Sequence, residues 1–222
     1  CSPAIAEPFA YITNALRDNV TVVYIATNEV VTTLEAVADE PSGVAVNPAG
    51  TKVYVTGRLS NELVVIDPAT NTVLTRVPMV APAWGVAFSS DGARAYVTTG
   101  EITFPCVTGF VSVIDTALDT EITSTPVGCQ PSGVALNPAA THLYVANRSS
   151  NSVSVIDTLS NAVIFTIPVG VQPDGIAVMP TGKQVYVAQE GSNDVSVIDA
   201  LLMTVTTTIP VGSTPIGIAI NP

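Results

Sequence analysis

PSGVAVNPAG at residues 41–50 returns almost unchanged as PSGVALNPAA at 131–140 and PDGIAVMPTG at 173–182. PIGIAINP at 215–222 is a further copy, and AWGVAFSSDG at 83–92 a looser one. The shared glycines are Gly43, Gly85, Gly133, Gly175 and Gly217, spaced 42, 48, 42 and 42 residues apart. A self-similar period of this length marks a repeat architecture, in which each unit buries its faces against its neighbours.

Three more segments follow each of the first four copies in fixed order. The second is KVYVTG, RAYVTT, HLYVAN or QVYVAQ, and the third is ELVVID, VSVID, SVSVID or DVSVID. TVLTRVPM, AVIFTIPVG and TVTTTIPVG represent the fourth. All are short, β-branched and bounded by Gly, Pro, Asn or Asp, the signature of strands joined by tight turns. Four strands per unit make a propeller blade. The reading is therefore all-β: a five-bladed β-propeller with four antiparallel strands, A to D, in each blade.

The segments YITN, YVTG, YVAN and YVAQ, together with VID and IPVG, resemble the YVTN-type β-propeller repeats over residues 9–222. The resemblance implies a propeller and a secreted or surface-exposed bacterial or archaeal protein. It implies no particular activity, because one fold hosts many functions.

The first repeat enters at strand B (FAYITN), and the sequence ends after a lone strand A (IGIAINP). This phase predicts that the tail strand, 215–221, completes the first blade and closes the ring, which removes both open sheet edges. Residues 1–8 are then a tether and 9–222 one domain, most simply a monomer. The same ends also fit head-to-tail pairing between molecules, as in a surface filament or layer.

Hydrophobic residues make up 47% and charged residues 11% of the chain. No run approaches the ~18 consecutive apolar residues of a spanning helix, and the dispersed Val and Ile suit strands covered on both faces. The net charge of −11, with seven Lys and Arg in all, opposes binding to a phosphate backbone. Cys1 followed by Ser2 has the look of a mature lipoprotein terminus. Cys1 is thus a lipidation candidate and the one route to membrane attachment, and the expected location is extracellular or at the cell surface.

Most repeated residues have structural roles in this reading. Asp67, Asp115, Asp157 and Asp199 close the C–D turns as Asx-turn acceptors. The strand-A glycines fit where inner strands crowd the axis, and Tyr11, Tyr54, Tyr96, Tyr144 and Tyr186 pack between blades. Function is sought where the copies differ. The residues just before the glycines, Ser42, Trp84, Ser132, Asp174 and Ile216, fall at the channel mouth, where the D–A and B–C loops open. Trp84 either plugs the mouth or forms an aromatic platform for a ligand. Arg58 and Arg148, at equivalent B–C positions, are candidate ligand contacts or else counter-charges for an acidic rim, with Gln130, Gln172 and Glu190 beside them.

The third unit carries a six-residue insertion in its B–C loop. Cys106 lies in it and Cys129 in the next D–A loop, so a Cys106–Cys129 disulfide is expected, in keeping with an oxidising compartment. Asn19 and Asn147 head N-x-Ser/Thr triplets. His142, the one histidine, reads as a turn residue without an acidic neighbour in its own repeat, so neither a Ser–His–Asp set nor a histidine metal site is indicated. No cofactor is called for. The functional expectation is a non-catalytic scaffold binding a glycan, peptide or protein through the Trp84 face. The alternative is a lyase- or lactonase-like enzyme using carboxylates such as Glu40 and Asp174 at the mouth.

Overall fold

The short β-branched runs form nineteen strands in five antiparallel sheets among the described residues of the computed structural model, which are 8–102, 105 and 107–221. Blade 1 contains β1 (Phe9–Asn14), β2 (Asn19–Tyr24) and β3 (Glu29–Leu34). Blade 2 contains β4 (Pro41–Val46), β5 (Val53–Gly57), β6 (Glu62–Asp67) and β7 (Thr72–Pro78). Blade 3 is built from β8 (Ala83–Phe88), β9 (Arg94–Thr99), β10 (Thr108–Asp115) and β11 (Thr120–Cys129). In blade 4 the strands are β12 (Pro131–Leu136), β13 (His142–Asn147), β14 (Ser152–Asp157) and β15 (Ala162–Pro168). Blade 5 has β16 (Pro173–Val178), β17 (Gln184–Gln189), β18 (Asp194–Asp199) and β19 (Thr204–Pro210). Each strand pairs with its sequence neighbours, and the inner strands β4, β8, β12 and β16 pack one on the next, with β1 against β4. This is the propeller arrangement.

Burial follows from it. The middle strands are covered on both faces, so Leu63, Val64, Val65 and Ile66 of β6 are all fully buried, which an alternating strand on a one-sided sheet would not show. The outer strand β7 exposes Thr72–Arg76. The core lies between blades rather than along the axis. Tyr54 packs with Leu63, Val65 and Val77 of its own blade and with Ala95, Val97 and Ile114 of blade 3. Tyr96 and Tyr144 repeat that contact at the next two interfaces. Each such side chain contributes about 1.5–3 kcal/mol by burial. The Asx-turns form as expected: Asp67 Oδ1 accepts the N–H of Ala69 at 2.8 Å, and Asp199 Oδ1 accepts those of Leu201 and Leu202, each at 2.8 Å.

At the axis the glycines are a steric necessity. A Cβ on Gly43, Gly85, Gly133 or Gly175 would lie closer than 3.0 Å to the carbonyl oxygen of Trp84, Ser132, Asp174 or Ile216 respectively, backbone that cannot yield. The threonine of the YVTN-like segment ties the same strands together. Thr56 Oγ1 accepts from Gly43 N at 2.7 Å and donates to Trp84 O at 2.7 Å. Thr98 does the same for Gly85 N (2.8 Å) and Ser132 O (2.7 Å), and Thr13 reaches Ser42 O at 2.9 Å.

One expectation fails. The tail is seated against β16, since Ile216 O and the Gly217 backbone face Gly175. Residues 215–220 nevertheless form no strand, and the first sheet keeps three strands with β1 at its edge. Nothing lies within 4 Å of a Cβ built on Gly217. The tail thus follows blade 5 as each inner strand follows the blade before it, but the predicted ladder to β1 is not made.

The glycines therefore separate by neighbour. Gly133→Ala should lower the denaturation free energy by about 1–3 kcal/mol through overpacking. Gly217→Ala should stay within about 0.5 kcal/mol of wild type, as ordinary surface changes do. Urea titration of the two variants checks this, and equal losses would mean that the tail is packed like the other inner strands.

Candidate functional site

Before β4, β12 and β16 the chain turns through a left-handed residue followed by proline: Glu40 (φ 48°), Gln130 (φ 49°) and Gln172 (φ 55°). Residues with side chains seldom adopt this conformation, and here it is held by bonds on both sides. The carbonyls of Glu40, Gln130 and Gln172 accept the N–H groups of Arg58 (3.2 Å), Arg148 (3.0 Å) and Glu190 (3.0 Å). From the preceding blade, Asp18 Oδ1 accepts Glu40 N and Asn151 Oδ1 accepts Gln172 N, each at 2.9 Å. The D–A and B–C loops are thereby joined on one face, as expected, and carry the candidate residues there.

Two charged groups result. In the first, Glu40 forms an ion pair with Arg58, and the Arg58 guanidinium lies over the Trp84 ring, 5.0 Å from its centroid. The indole Nε1–H donates to Gly100 O at 2.9 Å, so Trp84 is fixed at both its edge and one face. Such a cation–π stack contributes about 0.5–2 kcal/mol, depending on desolvation. Ala15, Leu16, Glu40, Ser42 and Arg58 line a cavity of 130 Å³ beside it. In the second, Arg148 bridges two carboxylates, Asp174 at 2.9 Å and Glu190 at 2.5 Å. Burial raises the Asp174 carboxyl above its usual value. The Arg148 charge opposes that shift, and Glu190 adds to it.

Glu40 and Asp174 thus each belong to a different arginine, and the structure does not bring them together as an acid–base pair. Ser42 is exposed beside the first group, and Ile216 is exposed on the tail. Ser132 departs from expectation. It is 5% exposed, with its hydroxyl 3.3 Å from the carbonyls of Ala146 and Pro173, so it serves strand packing rather than the mouth surface. The sequence signal for this was available, because blade 4 has Ala146 where blades 2 and 3 have Thr56 and Thr98. Asn147 is fully buried and donates to Ser152 and Ser154, so it presents no glycosylation site on the folded surface. Cys1 and Cys106 lie outside the described residues, and with them the lipidation and pairing expectations. Among the described residues no three of His, Cys, Asp and Glu gather as a metal-holding group.

Residues 121–221 match the family described as YNCE-like beta-propeller. No curated protein sequence matches the chain. Among solved structures, a protein of unknown function from Desulfotomaculum acetoxidans superposes with a TM-score of 0.81 at 16% identity, over 96% of this chain and 69% of the other. A chain of Kuenenia stuttgartiensis hydrazine synthase superposes with a TM-score of 0.69 at 18% identity, over 98% of this chain and 90% of the other. At these identities the likeness establishes the fold.

Removing the bridging arginine exposes the electrostatics of the second group. In Arg148→Gln the Asp174 midpoint, followed by carboxyl-carbon NMR, should move further up, and neutral-pH stability should drop by about 1.5–3 kcal/mol. With a folded pKa above the unfolded one, Asp174 binds its proton more tightly in the native state. Its destabilising effect is therefore full above the folded pKa and is relieved as pH falls through that value toward the unfolded one. A downward midpoint shift would contradict the assignment.

Proposed function

For a chain whose residues 121–221 match the YNCE-like β-propeller family, we propose a non-catalytic binding scaffold acting at the cell surface or outside the cell. Its binding face is the one that carries Trp84, and the ligand class is a glycan or a peptide. The observation behind this reading is the Glu40–Arg58–Trp84 stack: a half-buried aromatic with its N–H and one face already engaged, presented beside a small open cavity. Rigid aromatic and arginine side chains, preset before the ligand arrives, are what binding hot spots require. Arg148 with Asp174 and Glu190, together with exposed Ser42, supplies polar contacts along the same rim.

The mouth carboxylates favour binding over catalysis. A general acid–base pair needs two carboxyls facing one substrate, one of them free to exchange its proton, whereas Glu40 and Asp174 are each neutralised by an arginine. The extracellular setting is supported by Cys129, which is disulfide-bonded, because disulfides persist in oxidising compartments. Cys106, in the insertion on the same face, is the proposed partner.

A glycan array and a peptide array probed with wild type and with Trp84→Ala test the assignment. Wild type should give a reproducible ligand class, and the variant should lose at least tenfold in affinity while keeping its thermal transition. Unchanged binding by the variant would remove the Trp84 face as the site.

A further inference from the structure

On the face opposite the mouth, where the A–B and C–D turns lie, the blade interfaces share a position that is polar at one interface and apolar at another. Between blades 2 and 3, Asp119 reaches back across the interface. Its carboxylate accepts from Lys52 Nζ at 2.7 and 2.9 Å and from the Tyr54 hydroxyl at 2.5 Å, and Lys52 Nζ also donates to Thr116 O at 2.6 Å. Between blades 1 and 2 the same tyrosine position finds an amide instead, Tyr11 donating to Asn71 Oδ1 at 3.1 Å.

The repeat aligns Lys52 with His142, Tyr54 with Tyr144 and Asp119 with Met203. Between blades 4 and 5 the acceptor is therefore replaced by a thioether, which packs on the apolar cluster containing Tyr144. Tyr144 is 1% exposed, and no hydrogen-bond partner among the described residues reaches its hydroxyl. The group lines a cavity of 360 Å³ together with Asn137, His142, Lys183, Asp199 and Leu201, a volume within the range of small-molecule sites.

We infer that this cavity binds the carboxylate of a small aliphatic acid, which takes the role that Asp119 plays for Tyr54 and Lys52. The donors are placed for it. The Tyr144 hydroxyl is unused, and no acidic group among the described residues forms an ion pair with the Lys183 ammonium. His142 has Nδ1 on Thr141 Oγ1 at 3.1 Å, which leaves Nε2 for a ligand. The one carboxylate in the lining, Asp199, is committed through Oδ1 to two turn N–H groups. Asp157, paired across the ladder with His142, accepts from the Ser160 N–H and hydroxyl at 2.7 Å. Leu201, 89% exposed at the rim, offers an apolar contact for the aliphatic part. The site lies on the other face from Trp84 and does not depend on the function proposed above.

His142 is the only histidine, so its imidazole gives one unambiguous NMR resonance. At fixed pH and ionic strength, butyrate should shift that resonance saturably, while butyramide and chloride should not. Tyr144→Phe, which removes only the hydroxyl, should weaken butyrate binding at least tenfold. Met203→Asp should abolish it by supplying the internal carboxylate. A response to butyramide or chloride equal to that of butyrate, no saturable shift with butyrate, or full binding by Met203→Asp would each overturn the inference.

Discussion

The approach of each inner strand's glycine to the carbonyl of the strand beside it governs this molecule. Gly43, Gly85, Gly133 and Gly175 have no room for a methyl group because the neighbouring carbonyl occupies it. That contact sets how closely the blades converge at the axis. The Tyr54, Tyr96 and Tyr144 side chains fill the wider spaces further out. It also fixes what stands at the mouth: the residue before each glycine supplies the carbonyl, and Ser42, Trp84 and Asp174, unlike the buried Ser132, keep side-chain surface at the face where the D–A and B–C loops meet.

Electrostatics are organised around the same interfaces. In a chain with a net charge of −11, the scarce basic residues join neighbouring blades. Lys52 reaches Asp119 of blade 3, Arg94 donates to Thr158 O ahead of blade 4's last strand at 3.0 Å, and Arg148 holds Asp174 of blade 5. Arg76 ties blade 2 to the carbonyl of Val37 at 2.6 Å. Isolated surface pairs of this kind contribute little. Lys52, Arg76 and Arg94 bind backbone carbonyls as well, so each of these three also satisfies a group at the blade junction. At the Tyr144 level of the junction between blades 4 and 5, Met203 stands where Asp119 stands between blades 2 and 3, and a cavity lies beside Tyr144.

The repeat made the sheets legible from sequence, because strand periodicity, turn residues and glycine spacing all recur, and the same regularity identified the Asx aspartates and the interblade tyrosines Tyr11, Tyr54, Tyr96 and Tyr144, though not Tyr186, which is half-buried and bonds within its own blade. Four things were not legible, for physical reasons. The pairing of the tail with β1 depends on how far the blades fan around the axis, a global quantity that no local segment encodes. The burial of Ser132 depends on a compensation between positions, its hydroxyl standing near carbonyls at the junction where Ala146 takes the place of the threonine. The capture of Trp84 by Arg58 arises across an interface, between residues whose chemistry was evident but whose contact was not. The Tyr144 cavity was hidden for a similar reason, since Met203 is unremarkable until aligned with Asp119.

Native-state hydrogen exchange of the glycine amides at the axis tests the account most directly. Gly43 and Gly85 donate to threonine hydroxyls within the tightest contacts of the molecule. Their amides should exchange only through global unfolding, with the same denaturant dependence as the amides of the buried strands β5 and β6. Exchange of these two glycines as fast as that of the tail residues would contradict the claim that the inner-strand contacts hold the blades together.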